Sequence, residues 1–398
     1  MKIQKWMISI LLLTLFMCVP TLKSDAVTVQ SVIGSSVNCD TTIALCTGFP
    51  TQVSLLCNGS GGTINCPQFF EPDWTTTTRL WGITNRVVPP KLVVSTDGGT
   101  TWTLGTTDPF IAAIVNFGAN FAVSSNGSLL AAAGQGANTC IIRRSTDQGV
   151  SWSTVYTEAV NLCDIAFGNP TSNSMTCAAS GGYCVLFARD AGFNIFPITS
   201  TNNGATWTAQ TSYSYVSGDT ELQVQLSADA SSGVQSRMTN NGVGFATKSG
   251  NTFVYSATAI PNSQRCMGLI IGGTKVVCGP SSILTTAASW QFADAVNPAA
   301  PSTFAVVDGQ SNSQSPQPLV VGFTSTLGYM LLPSQSNANN LNVFITNNSF
   351  GAVTKIATVT PITIPIAGCC RGDAYVFGGK IYFGSGASGP NAFVMVIQ

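Results

Sequence analysis

Asp164, Arg265, Arg371 and Asp373 stand at comparable places in an apolar pattern that recurs along this 398-residue chain. The pattern reads Leu162-Cys-Asp-Ile-Ala-Phe-Gly168, then Arg265-Cys-Met-Gly-Leu-Ile-Ile-Gly-Gly273, then Cys370-Arg-Gly-Asp-Ala-Tyr-Val-Phe-Gly-Gly379. Two carboxyl groups flanking a glycosidic bond can hydrolyse it, one as acid and the other as base or nucleophile. Guanidinium groups beside them would grip a sugar carboxylate through two parallel hydrogen bonds. Such chemistry needs strands that are distant in sequence to deliver all four side chains to one mouth. The plainer reading makes them rim residues of a neutral ring. Arg371-Gly-Asp373 also spells an integrin-type tripeptide, but it opens an apolar strand pattern rather than an exposed loop tip.

The elements that would do the positioning are written in a second repeat. Ser95-Thr-Asp97-Gly-Gly99-Thr-Thr101-Trp102, Ser145-Thr-Asp147-Gln-Gly149-Val-Ser151-Trp152 and Ser200-Thr-Asn202-Asn-Gly204-Ala-Thr206-Trp207 all fit S-x-[DN]-x-G-x-[ST]-W. An Asp or Asn side chain folds back onto backbone N–H groups, and the glycine supplies a positive φ. A large tryptophan then closes one end of a small sheet. Strand formers precede each copy, at Lys91–Val94, Cys140–Arg143 and Phe196–Ile198. The octapeptide therefore predicts a turn between antiparallel strands, copied at a period of about 50 residues, as propellers and solenoids are.

This pattern resembles the Asp box, or BNR repeat, of sialidases and related β-propellers. The resemblance implies an all-β propeller in which each box joins the third and fourth strands of a blade, away from the ligand face. It makes Ser95, Asp97, Gly99 and Trp102, with their counterparts in the other two boxes, structural. Weaker copies at Thr247–Phe253, Thr285–Trp290 and Thr346–Gly351 continue the rhythm, and the pattern around Asp164, Arg265 and Arg371 reads as innermost strands. The expected count is about seven four-stranded blades, with six as the alternative. Sialidase chemistry also needs an arginine cluster and a tyrosine nucleophile partnered by a glutamate. The chain has only three glutamates, Glu71, Glu158 and Glu221, and Arg86-Val-Val-Pro89 departs by one residue from the family's Arg-Ile-Pro signature. The family's catalytic roles are therefore not carried over.

Residues 1–26 read as a secretory signal peptide: Lys2 and Lys5, an apolar run from Trp6 to Pro20, then Ser24-Asp25-Ala26. No later run approaches the length of a membrane-spanning helix. Of 13 cysteines, Cys18 falls in this leader, which leaves an even number in an exported chain and points to disulfides. Cys177–Cys184 and Cys266–Cys278 are placed to staple neighbouring strands. Cys39–Cys46, Cys57–Cys66 and Cys140–Cys163 are looser pairings, and Cys369 and Cys370 are adjacent. Histidine is absent, so no metal site or cofactor is expected. Asn58, Asn126 and Asn347 each begin a glycosylation sequon.

Only 8% of residues are charged and the net charge is +0, which offers no basic field to nucleic acid and little protection against self-association. Residues 27–398 read as one propeller domain, with a cysteine-rich stretch over 27–80 in which Val27–Ile33 is the candidate outer strand for closing the ring. Trp74 and Trp81 suit either sugar stacking or packing of the first blade. The expectation is a secreted or cell-surface propeller that binds an extracellular glycan or protein without catalysis. The alternatives are an exo-acting, sialidase-like glycoside hydrolase and a self-assembling surface structural protein.

Overall fold

The computed structural model describes residues 53–58, 67, 69–84, 91–110, 120–135, 139–158, 161–162, 174–190, 194–211, 221–239, 242–261, 263–269, 275–280, 289–294, 297–305, 319–322, 328–333, 341–346, 353–359, 374–378, 380–384 and 393–397. Among them the strands form seven antiparallel sheets, each a blade, and in all but the last the strands are consecutive in sequence. Blade 1 runs Phe69–Pro72, Leu80–Thr84, Lys91–Ser95 and Thr103–Leu104 from hub to rim. Blade 2 runs Asn120–Val123, Leu129–Gln135, Thr139–Ser145 and Ser153–Glu158. In blade 3, Asn161–Leu162 and Met175–Cys177 pair opposite ends of Cys184–Asp190, followed by Ile195–Ser200 and Thr208–Ala209. Blades 4, 5 and 6 begin at Glu221–Leu226, Ser263–Leu269 and Leu319–Gly322.

Blade 7 is assembled from both parts of the chain. Ala374–Phe377, Lys380–Gly384 and Phe393–Ile397 come from the C-terminal part, and Val53–Asn58 adds the outer strand, with Val53 opposite Ile397 and Asn58 opposite Phe393. The first strands of successive blades touch in cyclic order, and Ala374–Phe377 touches Phe69–Pro72, so the ring is closed. The closing strand is thus Val53–Asn58; Val27–Ile33, the sequence candidate, lies outside the described residues.

Each blade is too thin to bury a core of its own, so the apolar clusters lie between blades. Phe70, Leu80, Val93 and Trp102 of blade 1 pack with Phe377, Tyr382 and Val396 of blade 7. Phe69, Trp81 and Leu92 pack with Phe121, Val123 and Leu129 of blade 2. The same arrangement joins blade 2 to blade 3 and blade 3 to blade 4. Inner strands such as Phe69–Pro72 and Leu80–Thr84 are buried at every position because neighbours cover both faces, whereas Thr103–Leu104 at the rim is exposed.

One glycine makes the close approach visible. Gly204 has φ +74°, and a Cβ there would lie 2.4 Å from Leu130 Cδ2 of blade 2. Leu130 is fully buried, so any shift of it must displace its neighbours in the cluster. Gly204→Ala is expected to lower unfolding stability by about 2 kcal/mol, from backbone strain and overpacking together. A denaturation midpoint unchanged by this substitution would mean that the two blades are not in contact there.

Two weak sequence repeats behave differently. Thr247–Phe253 spans the link between the third and fourth strands of blade 4, with Phe253 buried where a box has tryptophan. Thr285–Trp290 is not an equivalent. Its Ser289 and Trp290 open a third strand, Ser289–Asp294, whereas a box leaves one. A hydroxyl followed by tryptophan therefore does not mark a box when the Asp and Gly of the turn are missing.

Candidate functional site

The three boxes fold alike because their hydrogen bonds are local. Ser95 Oγ donates to Asp97 Oδ1 (2.8 Å), the Gly99 N–H donates to Ser95 Oγ (2.7 Å), and Thr101 donates its N–H (2.9 Å) and hydroxyl (2.6 Å) to the two oxygens of Asp97. Asp147 repeats this set with Ser145, Gly149 and Ser151. Asn202 does so with Ser200, Gly204 and Thr206, except that its amide donates to the Thr206 hydroxyl (2.8 Å). The fourth and fifth positions are left-handed in every copy, at Gly98 and Gly99, Gln148 and Gly149, and Asn203 and Gly204. The tryptophans diverge. Trp207 Nε1 donates to Gly204 O (3.0 Å) and Trp152 Nε1 to Thr107 O (3.2 Å), while buried Trp102 packs edge-on to Phe70 at 6.4 Å.

The two carboxylates among the boxes are held ionised by these hydrogen bonds. Desolvation at Asp97 works to raise its pKa, but donation from Thr101 and Ser95 outweighs it and the net shift is downward. Asp147 is held at about 2 by the Ser151 hydroxyl, the Ser151 N–H and the Ser145 hydroxyl. A folded value below the unfolded one, about 3.9, means that this turn's contribution is complete above pH 4. It falls away as the pH drops through 2. Carbon-detected titration of the folded protein should give an Asp147 midpoint near 2; a midpoint near 4 would mean that the Ser151 bonds do not form.

The boxes are also welded to the neighbouring blade. Strand direction alternates, so the boxes and the first-to-second-strand turns share one face of the ring. There Ser125 Oγ of blade 2 donates to Asn203 Oδ1 of blade 3 (2.8 Å), and Arg144 Nε donates to Asn203 O (3.0 Å). The first-to-second turns carry a shortened box that sequence reasoning missed. Ser124 Oγ donates to Asn126 Oδ1 (2.8 Å), and Ser227 Oγ to Asp229 Oδ1 (2.8 Å). In blade 1, Asp73 takes this place, accepting from Thr75, Arg79 and Trp81 Nε1. Trp81 is thereby a packing residue, and half-buried Trp74 packs edge-on to Tyr375 and Phe377. The recurring Ser-x-Asx was the available signal.

The opposite face receives the starts of the innermost strands. Arg265 lies near the start of Ser263–Leu269, the first strand of blade 5, and pairs in register with Gly279. Asp164, Arg371 and Asp373 lie outside the described residues, so the four candidates are not brought together by described contacts. The strand after Asp373, Ala374–Phe377, is the hub strand of blade 7.

The hub holds a glutamate that the sequence did not single out. Glu71, 1% exposed on the first strand of blade 1, accepts the Val123 N–H of blade 2 at Oε2 (2.6 Å). Its Oε1 accepts the Tyr375 hydroxyl of blade 7 (3.2 Å). One carboxylate thus bridges three blades. A second tyrosine–glutamate pair, Tyr156 Oη to Glu158 Oε2 (2.8 Å), lies on the fourth strand of blade 2. Burial, then the hydrogen bond and charge of Glu158, push the Tyr156 phenol upward, opposite to what a phenolate nucleophile needs. Among the described residues no cluster of His, Cys, Asp and Glu could hold a metal.

The BNR/Asp-box repeat model matches residues 93–104, the first box with its flanking strands. No curated protein matches the sequence. Among solved structures, "YCF48 bound to D1 peptide" is similar with TM-score 0.52 and 12% identity, over 87% of this chain and 95% of that one. A GH74 enzyme of Niastella koreensis gives 0.52 and 13%, over 87% and 53%. A polysaccharide lyase described as "PL25-Ulvanlyase bound to -[GlcA(1-4)Rha3S]-" gives 0.50 and 9%, over 77% and 86%. At such identities the likeness is one of fold. Fold and boxes together define the class: an all-β propeller with Asp-box repeats.

Proposed function

We propose that the chain is a non-catalytic binding propeller, secreted or held at the cell surface. It takes an extracellular glycan or a protein segment on the face opposite the boxes. The observation that supports this reading is the engagement of Glu71: both its oxygens are occupied by groups of neighbouring blades, so the acid of the first hub strand serves the ring rather than a reaction. Propellers of the same fold include one solved with a peptide and one with a sulfated saccharide, so either partner suits the architecture. The leader-like residues 1–26 and the cysteines support export.

The test is binding of the oxidised chain to immobilised panels of sialylated glycans, neutral glycans and extended peptides. Arg265→Ala is expected to weaken the strongest interaction at least about tenfold, the loss of one charge-assisted contact. Asn126→Gln, on the box face, should leave it unchanged. Loss of binding in Asn126→Gln alone, or no binding to any panel, would overturn the proposal. The exo-acting hydrolase remains the second reading because Arg265 stands on a hub strand, and a GH74 enzyme shares the fold. Self-assembly, favoured by the near-zero net charge, would instead give concentration-dependent oligomers in sedimentation.

A further inference from the structure

Blade 3 carries a covalent staple between its hub strand and its second strand. Cys177 and Cys184 stand directly opposite in register, with Cα atoms 4.1 Å apart, and are joined by a disulfide. Two blades further round the ring, the same pair of strands repeats the juxtaposition. Cys266 of Ser263–Leu269 is the register partner of Cys278 of Lys275–Pro280. The register is regular from there to Leu269 opposite Lys275, so the pairing is not confined to a bulge. Directly opposed residues of antiparallel strands bring their Cβ atoms to about 4.5–5.5 Å, and disulfides need about 3.5–4.5 Å, a gap that small local adjustment closes.

From this repeated juxtaposition we infer that Cys266 and Cys278 form a second hub staple, which fixes the strand that carries Arg265. The two thiols lose two protons and two electrons to a disulfide donor of the glutathione or oxidoreductase class. The donor is reduced to thiols as the S–S bond forms. Blades 3 and 5, on either side of blade 4, would then each hold the hub strand covalently to the strand behind it. The bond ties Arg265 to a rigid element, whatever ligand that face receives.

Non-reducing peptide mapping of the full chain, folded in a buffer of oxidised and reduced glutathione, tests the bond. The expected product is one peptide pair joining Cys266 to Cys278, beside another joining Cys177 to Cys184. Alkylated free thiols at Cys266 and Cys278, or links from either to other cysteines, would overturn the inference. Hydrogen exchange tests the positioning. In the paired variant Cys266→Ser, Cys278→Ser, amides of 263–269 should exchange at least about tenfold faster, while those of 175–177 stay unchanged. Equal exchange would overturn the positioning role. The peptide map is read on the wild-type chain, so it stands even where the variant fails to fold, and it is indifferent to whether the propeller binds or hydrolyses.

Discussion

A chain ending after residue 392 is expected to lose the cooperative fold altogether. Phe393–Ile397 lies between Lys380–Gly384 and Val53–Asn58, so its removal separates the two parts of the chain that make blade 7. The remaining two strands would present an open, apolar edge. Val396 is buried in the cluster that joins blade 7 to Phe70, Leu80 and Trp102, so blade 1 loses its cover as well. A ring whose core lies between blades has no independent unit to fall back on. Thermal unfolding and sedimentation should report a broad or absent transition and aggregation. A sharp, monomeric transition within a few degrees of the full chain would show that closure contributes little.

The second large effect is placed on Glu71. Glu71→Ala leaves the Val123 N–H and the Tyr375 hydroxyl without their acceptor at the hub, each at a cost of about 1–3 kcal/mol. The expected loss is about 3–4 kcal/mol of unfolding stability, a large part of what a domain has. Glu71→Gln keeps one acceptor oxygen and should lose about half as much. Urea denaturation of the three proteins distinguishes a clamp from a spectator. An alanine variant within about 0.5 kcal/mol of the parent would contradict the three-blade bridge.

These two effects differ in how far the sequence announced them. The boxes were legible because Asp97 finds Thr101 and Ser95 within eight residues, so composition at fixed spacing is enough to specify the turn. The hub strands of blades 5 and 7 were legible as apolar runs at Arg265 and Ala374 for the same local reason. Glu71 was not, because its partners lie 52 and 304 residues away and exist only once the ring closes. The closing strand depends on a distant partner in the same way. The sequence offered Val27–Ile33, which lies outside the described residues, and the strand that does pair with Phe393–Ile397, Val53–Asn58, is chosen by a register with the far end of the chain.

The candidates Asp164, Arg265, Arg371 and Asp373 were found by a repeat of apolar runs, which locates a strand but not the chemistry of its side chains. Arg265 sits where that repeat put it, on a hub strand. Whether Arg265 works with Asp164, Arg371 and Asp373 is a matter of function. It is decided by turnover and not by fold, since propellers serve both enzymes and binders.

The most direct test of the binding reading is therefore release of sugar. The oxidised chain at high concentration would be incubated with sialylated and neutral glycans from acid to neutral pH, and mass spectrometry would follow the glycans. The account predicts that every glycan remains intact, including those that the protein retains. Released monosaccharide that disappears in Arg371→Ala or Asp164→Ala would contradict it and place a catalytic centre at the mouth of the ring.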